Sequence, residues 1–256
     1  MSIALSVNLN KIALIRNSRE GNFPNVTEFA KLCLDAGADG ITVHPRPDQR
    51  HIRPSDIKSI HALIKSYPNR EFNIEGNPFA EPLNGSPENY PGFIELVRSA
   101  LPHQCTLVPD NNTQLTSDHG FDLNKDGDKL IPIIEELKSL GVRVSLFMDP
   151  DCIQLDLAKK IGADRIEFYT GPYAALFNAS DKDNFEKLFE KFYIAAEHAN
   201  SIGLGINAGH DLNLENMPKF ATIPGLQEVS IGHALTVDSL LMGMQEAVQK
   251  YLKICH

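Results

Sequence analysis

The sequence contains no run of 18 consecutive apolar residues, and its N-terminus has no basic segment followed by an apolar core. A membrane-spanning helix requires the first pattern, and a signal peptide requires the second. We therefore expect a cytoplasmic protein with no membrane partner.

Positive charge is also scarce, because 24 Lys and Arg residues stand against 33 Asp and Glu residues, for a formal net charge of −9. A chain with this balance is repelled by nucleic acid and by anionic membranes, so we expect neither as a partner. An anionic small molecule would need a local positive site set against the overall field.

Several catalytic signatures are missing. The four cysteines are scattered without paired metal-ligand spacing, and no G-x-G-x-x-G, H-E-x-x-H or G-x-S-x-G motif occurs. These absences argue against a dinucleotide site, a zinc protease and a serine hydrolase. A metal site remains an alternative, although arginines nearby would repel a cation; its available ligands are His44, His210, His233, Glu75 and Glu167.

Short runs rich in Val and Ile alternate with segments of helical period along the whole chain. They predict strands at 3–8, 40–44, 71–75, 104–108, 142–148, 165–169, 204–207 and 228–231. Helices are predicted at 26–36, 55–66, 87–100, 125–140, 182–201 and 237–252, with an extra short helix within 170–182. Eight buried strands with intervening helices favour a (β/α)8 TIM barrel with extra helices, formed by one domain of residues 1–256. An open doubly wound sheet is the alternative.

Polar or ionisable groups occupy the ends of nearly all predicted strands. In a TIM barrel these ends form the ligand-binding mouth, and core packing does not require such residues there. The groups are Asn8, His44, Glu75, the 106–109 stretch, Asp149, Glu167, Asn207 with His210, and Gly232 with His233.

Three of these positions suggest a specific chemistry. Partial burial of Glu75 would raise its pKa and suit it to proton transfer, although a solvated side chain is the alternative. Gly232 and His233 open a predicted helix, whose free N–H groups can bind an anion. His210 is a proton-transfer candidate or, alternatively, a residue that only caps or packs.

Basic residues cluster directly after the second strand and after the first. His44 is a proton-transfer candidate, and the neighbouring cations can collect an anionic substrate. Some arginines would instead form surface ion pairs. The basic residues after His44 are Arg46, Arg50, His51 and Arg53, and those after strand 1 are Lys11, Arg16 and Arg19.

Several long segments, in order, resemble the pyridoxine 5′-phosphate synthase family, and the resemblance covers essentially the whole chain. These segments include SVNLNKIALIRNSR at 6–19, GADGITVHPRPDQRHI at 37–52, FNIE at 72–75, TLVPD at 106–110, RIEFYTGPYA at 165–174, GINAGHD at 205–211 and VSIGHAL at 229–235. The resemblance implies a barrel enzyme that joins 3-amino-2-oxopropyl phosphate to 1-deoxy-D-xylulose 5-phosphate without a metal or organic cofactor. It also implies a homo-octamer built from dimers.

The resemblance also implies residue roles. His44 and Glu75 correspond to proton acceptors, His210 to a proton donor, and Glu167 to a carboxylate that stabilises transition states. The positions that correspond to contacts with the aminoketone phosphate are Asn8, Arg19, Asp211, Gly232 and His233. Those that correspond to contacts with the deoxyxylulose phosphate are Asn10, Lys11, Arg46, His51 and Thr116.

The chain departs from the more familiar family pattern at three places. Asn10-Lys11 stands where many members have Asp-His, Asp211 stands where they have Gly, and Tyr169 stands where they have His. Lys11 is a permanent cation in place of a titratable imidazole, which affects pentulose binding most directly. A lid is expected from the 45–54 segment or from the segment after Tyr169.

Two other functions remain open from the residues. One is a sugar-phosphate aldolase or isomerase that uses the same mouth, although no lysine at a strand end offers a Schiff base. The other is a non-catalytic barrel that binds a phosphorylated ligand. In each case the expected partner is a phosphorylated small molecule.

Overall fold

Eight parallel strands form a closed barrel in which each strand pairs with its neighbour in sequence and the last pairs with the first. The computed structural model describes residues 2–85, 87–111, 114–179 and 181–256. The predicted TIM barrel is therefore confirmed, and the open-sheet alternative is wrong. The strands are β1 (Ala4–Asn8), β2 (Gly40–Val43), β3 (Glu71–Gly76), β4 (Gln104–Leu107), β5 (Arg143–Met148), β6 (Arg165–Phe168), β7 (Gly205–Ala208) and β8 (Leu226–Ile231).

Helices connect the strands and cover the barrel. The extra helix predicted within 170–182 is present as α7, whereas α1, α6 and α9 were not predicted. The helices are α1 (Asn10–Asn17), α2 (Val26–Asp35), α3 (Pro54–Ile64), α4 (Phe93–Ala100), α5 (Leu123–Ser139), α6 (Cys152–Lys160), α7 (Gly171–Ala179), α8 (Lys182–Ser201), α9 (Met217–Phe220), α10 (His233–Met242) and α11 (Met244–Cys255).

Local chemistry determines where several helices begin and end. The Asn25 side chain accepts hydrogen bonds from the backbone N–H groups of Thr27 and Glu28, at 2.9 and 3.2 Å, and so caps α2. The single helix predicted over 237–252 is wrong, because Gly243 separates α10 from α11. Its φ of 86° lies in the region that glycine adopts readily, and this conformation interrupts the helix.

A buried polar layer crosses the inside of the barrel. The Arg165 guanidinium donates to Asn207 Oδ1 at 3.1 Å and forms an ion pair with Glu228 Oε2 at 3.1 Å. Gln104 on β4 contacts Glu228 on β8, a strand it does not pair with, so the contact runs through the barrel interior. Asn207, predicted at the mouth, is therefore part of this layer, and burial raises the pKa of Glu228 to about 7.

None of the helices described by the structure has the length and apolar character needed to cross a membrane.

Candidate active site

A pocket of about 280 Å³ opens at the carboxyl ends of the strands. It brings together nearly all of the predicted site residues, whose positions come from β1, β2, β3, β4, β6, β7 and β8 or from the segments that follow them. The predicted residues on its wall are Asn8, Asn10, Lys11, His44, Arg46, His51, Glu75, Thr116, Glu167, His210, Asp211, Gly232 and His233.

Three other predicted positions have different surroundings. The Arg19 side chain is exposed and does not line the pocket. Arg16 is fully buried and forms an ion pair with Asp56 at 2.5 Å, so its charge is already matched inside the protein. Asp149 accepts a hydrogen bond from the backbone N–H of Gly120 at 3.2 Å and supports a loop.

Glu75 lies near the end of β3 and is almost completely buried. Its Oε1 accepts a hydrogen bond of 2.7 Å from Asn8 Nδ2. Burial raises the pKa of Glu75 to about 7, and the nearby negative charge of Asp110 adds to the rise. A carboxyl group in this range gains and loses a proton near neutral pH, as predicted for a general acid–base group.

Glu167, on β6, is the second buried carboxyl group of the pocket. Burial raises its pKa well above the usual range, and repulsion from Glu75 and Glu228 acts in the same direction. Two carboxyl groups buried in one pocket do not both ionise readily. The environment therefore favours a protonated Glu167, which can donate a hydrogen bond to a developing negative charge.

His44 follows β2 directly and is buried beside Glu75. Its Nδ1 lies 3.8 Å from Glu75 Oε1. Burial lowers the pKa of His44 well below the usual range, and the charge of Arg46 contributes to the shift. The imidazole is thus neutral near pH 7 and able to accept a proton. The same causes lower the pKa of His51 to about 3.

Asn10 joins the first two strand ends. Its side-chain Oδ1 accepts a hydrogen bond of 2.9 Å from the backbone N–H of His44, and its own N–H donates to Asn8 Oδ1 at 3.0 Å. Asn10 is the first residue of α1, so this short helix positions both Asn8 and His44.

His210 lies just after β7. In the closed barrel, β8 and β1 separate β7 from β2, the strand that His44 follows. Its Nε2 is 2.7 Å from Thr116 Oγ1, and its Nδ1 is 3.1 Å from Asp211 Oδ2, without the alignment of a hydrogen bond. Tyr169 packs against the ring with a centroid separation of 5.4 Å. Asp211 has a φ of 63°, a conformation that glycine, the familiar family residue here, adopts without strain.

The backbone around β7 and β8 is closely packed beneath the pocket. A Cβ atom at Gly209 would lie 2.1 Å from the carbonyl oxygen of Ser230, so only glycine fits there. Gly232 precedes α10, and no side chain caps this helix. The first N–H groups of α10 have no intrahelical acceptor. They lie at the pocket, beside Gly232 and His233, and can therefore bind an anion there.

Comparison with known proteins agrees with this geometry. The family model described as "Pyridoxal phosphate biosynthesis protein PdxJ" matches residues 5–256. The chain belongs to the PdxJ family. It is 51% identical over 255 residues to the pyridoxine 5′-phosphate synthase of Xanthomonas campestris pv. campestris (strain B100), covering 99% of this chain and 96% of the relative. The corresponding protein of Xylella fastidiosa (strain 9a5c) is 50% identical over 251 residues, covering 98% of this chain and 94% of the relative.

Solved structures share the fold at low sequence identity. A 3-hexulose-6-phosphate synthase from Salmonella typhimurium has a TM-score of 0.60 at 17% identity, covering 100% of this chain and 98% of its own. A thiamine phosphate pyrophosphorylase from Pyrococcus furiosus has a TM-score of 0.57 at 13% identity, covering 99% and 95%. At these identities the similarity shows the fold alone.

The site of this PdxJ-family chain includes residues that the sequence did not indicate. Leu115 and Ser117, from the segment between β4 and α5, and Phe147 on β5 line the pocket. The segment after Tyr169 forms helix α7 from Gly171 onward, and the lid expected from it stays a prediction. The sequence indicates the 106–109 stretch at the end of β4. It does not show that the loop after β4 lines the pocket, because that depends on the course of the loop in space.

Over the described part of the chain, no group of three or more His, Cys, Asp and Glu side chains is arranged to hold a metal ion.

Proposed function

We propose that this chain is a pyridoxine 5′-phosphate synthase, which condenses 3-amino-2-oxopropyl phosphate with 1-deoxy-D-xylulose 5-phosphate. The products are pyridoxine 5′-phosphate, inorganic phosphate and water. The observation that carries the proposal is the convergence of His44, Glu75, Glu167 and His210 on one pocket in a chain of the PdxJ family. Relatives with this name are 51% identical over nearly their whole length.

The reaction needs this combination of groups. An amine adds to a ketone, water and phosphate leave, and a carbon–carbon bond closes the ring. Each step moves a proton to or from carbon, nitrogen or oxygen, and no single residue serves all of them. The neutral imidazole of His44 and the near-neutral pKa of Glu75 supply acceptors that work at physiological pH.

His44 and Glu75 are accordingly assigned as proton acceptors and His210 as the proton donor. Glu167 stabilises the transition states, and its raised pKa supports this role, since a protonated carboxyl group donates to a developing oxyanion. Thr116, which is also assigned to the pentulose site, contacts His210 Nε2 through its hydroxyl group.

Two anion sites are assigned to the two phosphorylated substrates. The aminoketone phosphate is bound beside the first turn of α10, where backbone N–H groups are free. Of the residues assigned to it, Asn8, Asp211, Gly232 and His233 line the pocket, whereas Arg19 is assigned from the family resemblance alone and does not line it. The deoxyxylulose phosphate is bound on the side of α1 and β2, by Asn10, Lys11, Arg46, His51 and Thr116.

The decisive experiment incubates the purified protein with both substrates, without added metal or organic cofactor, and follows the absorbance of pyridoxine phosphate. We expect product and inorganic phosphate in equal amounts only when both substrates are present. Conversion of deoxyxylulose phosphate alone would indicate an aldolase or isomerase. Binding of both compounds without turnover would indicate a non-catalytic barrel.

We further propose a homo-oligomer, an octamer built from dimers, in the cytoplasm. The support within the chain is that α1 packs against α10 and that both helices expose large apolar side chains. Such surfaces often mark contacts between protein chains. The exposed residues are Leu14 and Ile15 on α1, and Val237, Leu240 and Leu241 on α10.

A further inference from the structure

Asp110 lies three residues after the end of β4 and is only 5% exposed. It does not line the pocket, and its carboxylate lies behind two residues that do, His44 and Arg46. Its backbone carbonyl accepts a hydrogen bond of 2.6 Å from Asn77 Nδ2, which fixes the position of the segment after β4.

A single carboxylate oxygen of Asp110 meets three groups from different parts of the chain. Oδ2 accepts hydrogen bonds from Arg46 Nη2 and from Ser117 Oγ, the latter at 3.1 Å. The same oxygen lies 3.4 Å from His44 Nε2. Burial raises the pKa of Asp110, whereas the Arg46 guanidinium and the Ser117 hydroxyl favour the ionised form.

We propose that Asp110 is a positioning residue for the reaction, which orients the imidazole of His44 and holds the guanidinium of Arg46 at the pocket wall. The proposal rests on the proposed function. It assigns Asp110 no contact with substrate.

Asp110 orients the imidazole ring of His44. Its two ring nitrogens face different carboxyl groups, with Nε2 at 3.4 Å from Asp110 and Nδ1 at 3.8 Å from Glu75. A neutral imidazole carries one N–H, and an ionised carboxylate only accepts. Because Asp110 is the nearer carboxylate and forms a buried ion pair with Arg46, the proton of His44 belongs on Nε2. The lone pair of Nδ1 then remains free to accept a proton on the side of Glu75.

Asp110 also balances the positive charge of Arg46, which is buried to the same extent as Asp110. A buried guanidinium without a partner is strongly destabilising, so Asp110 is what allows it to stay at the pocket wall. Arg46 Nη1 also approaches the backbone carbonyl of Gln114 at 3.3 Å. The Asp110–Arg46 pair thereby connects the segment after β2 to the segment after β4.

Asp110 also acts on Glu75. Burial is the largest cause of the raised pKa of Glu75, and the negative charge of Asp110 is the next largest. Positive groups act in the opposite direction. The titratable and charged groups that face Glu75 are His44 and Arg46 after β2, Cys105 on β4, Asp110 after β4, Glu167 on β6 and His210 after β7.

The test compares Asp110→Asn with the wild-type enzyme over a range of pH. We expect kcat to fall by about 10–100-fold, the range found when carboxylates that orient metal-bound histidines are lost. The acid limb of kcat/KM should move to lower pH, because Glu75 loses the repulsion of Asp110. Asp128→Asn, at an exposed position on α5, is the matched control and should leave kcat and the profile unchanged.

A second measurement uses the wild-type protein and does not depend on the variant folding. Long-range ¹⁵N–¹H correlation spectra of histidine-labelled protein at pH 7, assigned with His44→Asn, should show His44 protonated at Nε2. Protonation at Nδ1 overturns the proposal, and so does an Asp110→Asn enzyme whose acid limb has not moved. If the wild-type protein makes no pyridoxine phosphate, the proposed function fails, while the His44 tautomer still tests the role of Asp110.

Discussion

At the scale of single residues, Glu75 shows how burial creates a catalytic group. Glu75→Gln should lower turnover by about 10²–10⁴-fold, because an amide accepts the hydrogen bond from Asn8 but does not relay a proton. Wild-type activity should itself decline as the pH falls below about 7, where Glu75 takes up the proton that it must accept during the reaction. Steady-state kinetics from pH 5 to 9 measure both effects, and activity of the variant within a few-fold of wild type would remove Glu75 from the mechanism.

The same substitution has a consequence for stability with a defined sign. The pKa of Glu75 is raised from 4.5 to about 7 by folding, so the native state holds a proton that the unfolded state has lost between these pH values. Stability therefore falls as pH rises through this window. Glu75→Gln should unfold at a higher temperature than wild type at pH 8, and at nearly the same temperature at pH 4. Thermal melts at the two pH values provide the comparison.

Lys11 is the residue at which this chain differs most in charge from the familiar family pattern. It lines the pocket, and the described residues offer its ammonium group no ion pair or hydrogen bond, so it is available to a phosphate. Lys11→Ala should weaken deoxyxylulose phosphate binding by about 1.5–3 kcal/mol, the range of a charge-assisted hydrogen bond. The aminoketone phosphate should be much less affected, since its assigned cradle is at α10.

Calorimetric titration of the Lys11 variant with each substrate separately is the measurement. Lys65→Ala, at an exposed position near the end of α3, is the control and should bind both substrates normally. Equal losses for both substrates, or none for either, would show that Lys11 does not belong to the pentulose site.

At the scale of secondary-structure elements, the close approach of β7 and β8 determines where His210 lies. Gly209→Ala would place a Cβ atom 2.1 Å from the Ser230 carbonyl oxygen. The backbone at position 209 and the backbone of Ser230 would have to move apart. We expect a loss of about 1–3 kcal/mol in the free energy of unfolding, together with reduced kcat. Gly85→Ala, where a Cβ meets no atom within 4 Å, should be neutral. Denaturant unfolding and kinetics measure both, and a Gly209→Ala protein with wild-type values would contradict the packing argument.

At the scale of the whole molecule, the exposed apolar side chains of α10 make the oligomer testable. Leu240 and Leu241 are 73% and 84% exposed. Leu240→Glu with Leu241→Glu should dissociate the oligomer to smaller species, because a carboxylate is costly to bury at an apolar contact. Sedimentation velocity measures the change. Ile153→Glu, at an exposed position on α6, is the control and should leave the assembly unchanged. An unchanged oligomer in the α10 variant would place the contact elsewhere.

Much of the barrel and of its mouth can be predicted from the sequence, because both depend on the order of residues within each short strand segment. Runs rich in Val and Ile predict buried parallel strands, and a residue at the end of such a run lies at the mouth whatever the details of packing. His44, Glu75, Glu167 and His210 were identified in this way, and all four line the pocket. The resemblance to relatives added their expected roles.

Only the tertiary structure decided the features that depend on neighbours distant in sequence. Asp110 lies behind the pocket wall because Arg46, 64 positions earlier, donates a hydrogen bond to its carboxylate. Asn207 lies in the barrel interior, where it accepts a hydrogen bond from Arg165. The near-neutral pKa of Glu75 likewise comes from burial and from the charges around it, which no local pattern encodes. The sequence alone determined that His44, Glu75, Glu167 and His210 lie at the mouth. Three-dimensional packing decided which other residues join them and how these groups are protonated, because desolvation and Coulomb interactions depend on distances in space.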